Sequence, residues 1–231
     1  MMPFRDITIY YSDRETSDFD SLNNPNHFRQ TVNFICDFYH QLLNGYKPLK
    51  TSRLGIHFTH RFSDILGKPS YFGSICSVWC YFEEDKYLAF SGNVRIRYLL
   101  DLLHSSVIVT ASTLGWDKEV FQNAYKKIID ADFRFVKEYP KKLNRVQSHT
   151  GQVILEKDIF TSKIYFVVSD GASTTKHEAL IRDNGGYLDS SYFTSKRAKW
   201  LNNNDYGVEM KGQNQKVYYS TIQNKMCFEG F

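Results

Sequence analysis

The stretch VRIRYLLDLLHSSVIVTASTL, residues 94–114, decides how this chain folds. It opens the longest run with a helical pattern, residues 94–139, and apolar side chains fall on nearly every side of the expected helix. After Arg97, the apolar positions are interrupted only by Asp101, His104 and small hydroxyl residues. A helix that is apolar all round is a buried one. The stretch therefore predicts a helix at the centre of the core.

The residues that follow predict a second helix with a single apolar stripe. Gly115 suits the left-handed position that ends a helix, and Asp117 suits the position that caps the next one. We therefore expect the two helices to fold back on each other as a hairpin. The apolar positions at helical spacing are Val120, Phe121, Ala124, Tyr125, Ile128 and Phe135.

The first of these helices is not predicted to span a membrane. A spanning helix needs about 20 predominantly apolar residues. This one carries Asp101 and His104 in its body and begins with two arginines, and charged groups are costly inside a bilayer. We therefore expect no membrane insertion.

Strands and one more helix are predicted before the hairpin. Residues 6–11, 53–58 and 71–82 are rich in β-branched and aromatic side chains, as strands are. Between the first two, Asn24 suits a helix cap, Pro25 suits the first helical position, and an apolar stripe continues to Gly45. A charged turn at residues 83–86 leads to residues 87–90, which we interpret as a further short strand. This part of the chain predicts a small sheet backing the helices.

After Arg145 the helical pattern gives way to short candidate strands at intervals of roughly ten residues, which is typical of an antiparallel meander. The predicted fold class is α+β: an N-terminal small sheet with a central helical hairpin, followed by a C-terminal antiparallel β-meander. We expect an α+β domain at residues 1–148 and a β-rich domain or docked sheet at residues 149–231. The candidate strands are residues 152–156, 163–168, 178–182, 198–201, 206–210, 216–220 and 225–228.

Composition favours a globular protein of the cytoplasm. Hydrophobic residues make up 42% of the 231 positions and aromatic residues 16%, as in globular proteins. The first residues lack the basic and apolar regions of a secretory signal. Four cysteines in a chain of this length do not make a dense disulfide framework, so we predict four free thiols in a reducing cytosol.

The common catalytic and cofactor-binding fingerprints are missing from the sequence, including the glycine-rich phosphate loops and the nucleophile elbow. His57, His60 and Asp64 are the best candidates for an acid-base or metal site, since both kinds of site use imidazoles near a carboxylate. Residues three apart on a strand point to opposite faces, however, so the two rings should diverge. We predict no catalytic residue, no cofactor and no metal site. An unrecognised hydrolase or transferase built on these three residues is the third hypothesis.

Two further groups are open to a chemical or a structural interpretation. His104 lies one helical turn after Asp101, but such a pair is more often a structural hydrogen bond between helices than a catalytic one. Cys76 and Cys80 lack a second pair of zinc ligands, and on a strand they lie about 13 Å apart, which is too far for a disulfide. We interpret both groups as structural.

A basic stretch at residues 126–145 raises nucleic-acid binding as the second hypothesis. It holds seven basic and three acidic residues, an excess of four charges, and aromatic residues interleave with it. Four charges satisfy only a few phosphates, and no known nucleic-acid-binding motif accompanies them, so a solvated helix face is the favoured interpretation. The basic residues are Lys126, Lys127, Arg134, Lys137, Lys141, Lys142 and Arg145.

The first hypothesis is a protein-binding module that neutralises or regulates a macromolecular partner without catalysis, for example a protein of immunity or inhibitor type. It rests on the missing fingerprints and on the aromatic C-terminal strands, because aromatic side chains are enriched at interfaces. We predict a protein partner, with nucleic acid as the alternative. The predicted partner contacts are Glu83, Glu84, Asp85, Lys141, Lys142, Arg145 and Trp200.

Overall fold

The computed structural model describes residues 4–11, 28–61, 64–183, 191–210 and 214–230. The chain forms two compact units, Met1–Phe133 and Arg134–Phe231. Each unit has its own sheet or sheets and its own buried side chains, and each is described by itself.

The first unit combines one sheet with four helices in its described residues. The elements are β1 (Asp6–Tyr11), α1 (Phe28–Leu42), β2 (Arg53–Thr59), β3 (Ser70–Phe72), β4 (Ile75–Tyr81), α2 (Glu84–Ala89), α3 (Gly92–Leu114) and α4 (Lys118–Asp130). The strand order is β1-β2-β4-β3. Strands β1, β2 and β4 are parallel, and β3 runs antiparallel to β4. Helix α1 provides the long connection that parallel pairing of β1 and β2 requires.

One face of this sheet is covered by helices and forms the core of the unit. Side chains alternate along a strand, so every second residue points to the same side. On this side the ring of Phe28, from α1, packs against Phe58 of β2, and helix α3 packs against β4. We call it the covered face. Its side chains are Ile7, Ile9, Tyr11, Leu54, Ile56, Phe58, Cys76, Val78 and Cys80.

The central helical hairpin is confirmed as α3 and α4. Gly115 adopts a φ of 69° and ends α3, and the Asp117 side chain accepts a hydrogen bond of 3.0 Å from the backbone N–H of Glu119. Helix α3 can bury Ser106 and Thr110 because each hydroxyl donates to the backbone carbonyl four residues earlier. Its buried apolar residues are Ile96, Leu99, Leu100, Leu103, Val107 and Ala111.

The short strand predicted at residues 87–90 is wrong, because most of this segment belongs to α2. Glu84 and Asp85 lie in the first turn of that helix, where negative charge interacts favourably with the helix dipole. Tyr87 is fully buried and packs its ring edge-on against Phe28. A helix of six residues is too short to show a period in the sequence.

The helical stripe after Asp117 is shorter than predicted, because α4 ends at Asp130. Asp132 and Phe133 adopt positive φ values of 47° and 57°, which stops the helix. Phe135, expected on the stripe, begins the first strand of the second unit. Helix α1 is described from Phe28 onward, so the predicted cap at Asn24 and Pro25 lies outside the described residues.

The second unit contains two antiparallel sheets and a short helix in its described residues. Its elements are β5 (Phe135–Glu138), β6 (Lys142–Leu143), β7 (Thr150–Lys157), β8 (Thr161–Ser169), β9 (Thr174–Asp183), α5 (Ser191–Arg197), β10 (Lys199–Trp200), β11 (Asp205–Met210), β12 (Gln215–Ser220) and β13 (Lys225–Gly230). One sheet has the order β5-β7-β8-β9, with β6 also paired to β7, and the other has the order β10-β11-β12-β13. The predicted C-terminal antiparallel β-meander is therefore confirmed.

The core of the second unit lies between its two sheets. Tyr206 of β11 is fully buried and meets Phe166 of β8 edge-on, with ring centroids 5.6 Å apart. A side chain at Gly151 on β7 would collide with the Tyr206 ring, so glycine is needed at that position. At the other end, His177 stacks on Tyr219 at 4.2 Å.

The second unit departs from the sequence-based expectations at two places. Helix α5 lies after residue 145, where no helix was expected, and at seven residues it too is short for a periodic pattern. Strands β5 and β6 precede residue 148 but pair with β7, and the two compact units divide between Phe133 and Arg134. The α+β class predicted for the chain is confirmed. Among the described helices, none has the length and apolar content needed to cross a membrane.

Candidate protein-binding face

The second face of the N-terminal sheet differs from the covered face in burial and in composition. Parallel sheets normally have helices on both faces, but α1 and α3 both pack on the covered face. On the second side many side chains are exposed or half-buried. We call this side the open face. Its residues are Asp6, Thr8 and Tyr10 on β1, Arg53, Gly55, His57 and the buried Thr59 on β2, Ile75, Ser77, Trp79 and Tyr81 on β4, and Ser70 and Phe72 on β3.

An aromatic ladder crosses three strands of the open face. Tyr10, His57 and Trp79 are register partners on β1, β2 and β4. Their ring centroids are 5.1 and 4.9 Å apart, with interplanar angles of 21° and 25°. These spacings match the distance of about 4.8 Å between neighbouring strands, so the rings stand side by side across the sheet. Each ring therefore covers a face of its neighbour.

A row of small side chains lies beside the ladder. Thr8, Gly55, Ser77 and Ser70 are register partners across all four strands. At Gly55 the site of an added Cβ would lie 3.4 Å from the Tyr10 ring and 3.5 Å from the His57 Nε2, so the two rings lean over this glycine. The rings thus fill the space above Gly55. At Ser77 on β4 and Ser70 on β3, the small side chains leave a depression in the surface.

An apolar wall borders the low part of the row on its other side. Phe72 and Ile75 are register partners on β3 and β4, and Phe72 is 86% exposed. Gly73, with a φ of 61°, makes the tight turn that places these two side chains opposite each other. Ser70 and Ser77 therefore lie in a notch between Trp79 and the Phe72–Ile75 pair.

Some polar side chains on the open face have N–H donors that find no acceptor among the described residues. Arg53 faces Asp6 through one contact, 3.4 Å from Nε to Oδ2, and both side chains are about half exposed. The terminal N–H groups of Arg53 and the indole N–H of Trp79 make no hydrogen bond with any described residue. Charged residues of both signs lie at the ends of the strands, with Arg5, Lys50, Arg61 and Lys68 among the basic ones and Asp64, Glu83, Glu84 and Asp85 among the acidic ones.

The structure separates the histidines of the third hypothesis. His57 is held in the aromatic ladder, where burial lowers its pKa below the ordinary value. His60 is exposed just beyond the end of β2, and Asp64 is exposed in the following turn. No group of three or more metal-binding side chains occurs within the described part of the chain.

His104 and Asp101 belong to a network that joins three helices. Tyr125 of α4 lies between them, since its hydroxyl donates to Asp101 at 2.6 Å and its ring stacks on His104 at 4.3 Å. Arg97 donates to both Asp101 and Tyr125, at 2.9 and 2.7 Å. On the other side of His104, its Nδ1 lies 2.8 Å from the hydroxyl of Tyr39 on α1.

The protonation of this network follows from the single proton of the Tyr39 hydroxyl. That hydroxyl donates to the backbone carbonyl of Phe121 at 3.0 Å, so His104 must donate from Nδ1. Burial lowers the pKa of His104, which keeps the ring neutral at neutral pH. The groups are all engaged in bonds between α1, α3 and α4, which favours the structural interpretation.

The acidic residues predicted as partner contacts lie at the start of α2. Glu83 and Asp85 are exposed, and Glu84 accepts a hydrogen bond of 2.6 Å from the Tyr11 hydroxyl. The Glu83 carboxylate faces Lys86 at 3.4 Å. Glu83 and Asp85 therefore remain available to a partner, whereas Glu84 also fixes α2 to β1.

The other predicted contacts lie in the second unit, and two of them hold its structure. Lys142 donates to the carbonyl of Ala198 at 2.5 Å, and the indole N–H of Trp200 donates to the carbonyl of Lys142 at 2.8 Å. These bonds join the β6 and β10 strands of the two sheets. Lys141 and Arg145 are exposed.

The basic stretch at residues 126–145 does not lie on one element. Lys126 and Lys127 belong to α4 of the first unit, whereas the five basic residues from Arg134 onward belong to the second. Lys137 lies over the Tyr139 ring at 5.5 Å, and burial, with the nearby charge of Lys196, lowers its pKa. The stretch therefore does not form a uniform solvated helix face.

Sequence reasoning missed the open face. Tyr10, His57 and Trp79 occupy alternate positions of three predicted strands, which is a signal that they do not face the core. The pairing that brings them together is non-local and cannot be read from any one strand. No family model, curated protein or solved structure matches this chain.

Proposed function

We propose that this is a binding protein that recognises a protein partner with the open face. The observation that carries the proposal is the notch at Ser70 and Ser77, which lies between Trp79 and the exposed Phe72–Ile75 pair. Aromatic and aliphatic anchors that enter such notches dominate the energy of many protein interfaces. The partner is expected to place an apolar side chain there.

The charges of the open face favour an acidic group beside that anchor. Arg53 has unused terminal N–H donors, so a carboxylate of the partner would find a bidentate site. The Trp79 indole N–H offers one more donor. The proposed partner surface thus combines an apolar anchor with an acceptor-rich, acidic neighbour.

A protein partner is favoured over nucleic acid by the ladder itself. Sheets that bind single-stranded nucleic acids stack bases on exposed aromatic ring faces. In the ladder, the His57 ring is stacked on both sides, and Tyr10 and Trp79 each have one face occupied. Phe72 and Ile75 add apolar surface, which offers phosphate groups no favourable contact.

The finer form of the proposal is a cytoplasmic protein of immunity or inhibitor type, which neutralises or regulates its partner. The free state of Cys36, Cys76, Cys80 and Cys227 supports a reducing compartment. A face built on strands supports tight recognition, since its side chains are held in place before binding.

Site-specific photo-crosslinking tests the proposal. A benzophenone amino acid replaces Phe72 in one variant and Phe160, which is 56% exposed in the second unit, in a control variant. Irradiation in native host cells should give an adduct at position 72 that resists nuclease and contains a second protein. A nuclease-sensitive adduct would favour nucleic acid, and equal yields at both positions would refute the open face as the binding site.

A further inference from the structure

The last described strand, β13, is an edge strand with an exposed aromatic residue. It pairs with β12 on one side, and no described residue pairs with its other side. Such an edge presents a row of unpaired backbone N–H and C=O groups that can template another strand. Phe228, in the middle of this edge, is 65% exposed.

The two faces of β13 differ in chemistry. Met226 and Phe228 are register partners of the buried residues Tyr219 and Val217, so they lie on the side that faces the other sheet of the unit. Lys225, Cys227 and Glu229 lie on the opposite side. Phe228 lies on the inner side of the sheet and is nevertheless exposed. The described residues of the unit therefore do not cover the inner side at this edge.

The sequence of β13 is complementary to itself when two copies run antiparallel. In the register that places Cys227 opposite Cys227, each Lys225 faces a Glu229 and each Met226 faces a Phe228. Opposite charges and apolar pairs both stabilise directly opposed positions in antiparallel strands. A parallel arrangement would place each lysine beside a lysine, and a shift by one residue would put charged side chains on the apolar side.

The Glu229 carboxylate is already positioned for this contact. It accepts a hydrogen bond from the Tyr218 hydroxyl on β12 through Oε1, which leaves Oε2 for a second donor. Lys225 is exposed and forms no ion pair with any residue in the described ranges.

We propose that a second copy of this chain binds along β13, so that two four-stranded sheets join into one eight-stranded sheet. The dimer is isologous, with its two-fold axis passing between the two Cys227 residues. The Phe228 of each copy is covered by the Met226 of the other. The contact lies in the second unit and uses no residue of the open face.

Charge reversal with complementation tests this dimer in the full-length chain by sedimentation velocity. Lys225→Glu alone and Glu229→Lys alone should each weaken self-association by about tenfold or more, because each creates two like-charge pairs. Mixing the two variants should restore a dimer, since every 225–229 pair then has opposite charges. Lys199→Glu on β10, the opposite edge of the same sheet, is the matched control and should leave the dimer unchanged.

Oxidative crosslinking reports the register. Diamide takes two electrons and two protons from two thiols as their disulfide forms, and opposed residues on antiparallel strands lie within disulfide reach. Wild type should give a covalent dimer at Cys227, and Cys227→Ser should give none. Any of three results would overturn the proposal. The first is a wild-type chain that stays monomeric, and the second is a dimer whose affinity neither charge reversal changes. The third is a mixture that fails to associate although both variants have the wild-type circular dichroism spectrum.

Discussion

The two faces of the N-terminal sheet share the same strands but have different physical roles. Ile56 and Val78 on the covered face are fully buried beneath helices, whereas Phe72 on the open face is almost fully exposed. Burial of an apolar side chain contributes about 1.5–3 kcal/mol, so the covered face supplies stability. Exposed apolar contacts contribute little to stability and are free to serve recognition. A mostly parallel sheet can therefore leave one face exposed when helices such as α1 and α3 both pack on the other.

The largest predicted difference is between aspartates placed on the two faces of β4. Val78→Asp puts an unpaired charge in the core and should cost more than about 4 kcal/mol, enough to prevent folding. Ile75→Asp, three residues earlier, should cost about 1 kcal/mol, mainly through lower strand propensity. Soluble yield and urea unfolding followed by circular dichroism measure both. A cooperative transition of wild-type midpoint for Val78→Asp would mean that the covered face is not the core.

A smaller contrast is expected between two aromatic residues of the open face. Trp79→Ala removes a half-buried ring and its stack on His57, and should cost about 2 kcal/mol. Phe72→Ala removes an exposed ring and should cost less than about 0.5 kcal/mol. Urea unfolding of the two variants beside wild type provides the comparison. Equal losses would show that Phe72 is needed for folding rather than free for binding.

The pH dependence of stability should carry a small contribution from His57. Burial lowers its pKa in the folded protein below the ordinary value of about 6.5. The unfolded chain therefore binds the proton more tightly, and the stability from neutral His57 is present above about pH 6.5 and lost as the pH falls below it. His57→Gln should reduce the fall in unfolding free energy between about pH 7.5 and pH 5.5. Part of the fall in unfolding free energy should remain in the variant, because burial lowers the pKa values of His104 and His177 as well. A fall as large as that of wild type would contradict the assignment to His57.

Local signals in the sequence predicted much of the fold. The hairpin could be placed because Gly115 and Asp117 mark the end of one helix and the start of the next, and all seven strand candidates after Arg145 lie in or beside strands of the structure. Helices α2 and α5 escaped prediction because two turns give no measurable period. The parallel order of β1, β2 and β4 depends on contacts between distant residues, so no local pattern contains it.

The candidate site was much harder to predict than the fold. Lys142 and Trp200 stay predicted partner contacts, and the structure adds that both make bonds between the β6 and β10 regions, which the sequence does not indicate. Alternation shows which residues of one strand share a side of the sheet. That Tyr10 of β1 and Trp79 of β4 lie on the same side follows only when the register between the strands is known. The burial of one sheet face and exposure of the other is a property of the whole unit.

Capture of a partner by variants of the open face tests whether that face binds protein. Wild type, Phe72→Asp and the control Val136→Asp, an exposed apolar position on β5, are immobilised in equal amounts after their melting temperatures are shown to agree. Protein bound from native host lysate is quantified by mass spectrometry. We expect a partner that wild type and Val136→Asp retain equally and that Phe72→Asp loses. Full retention of every captured protein by Phe72→Asp would contradict it.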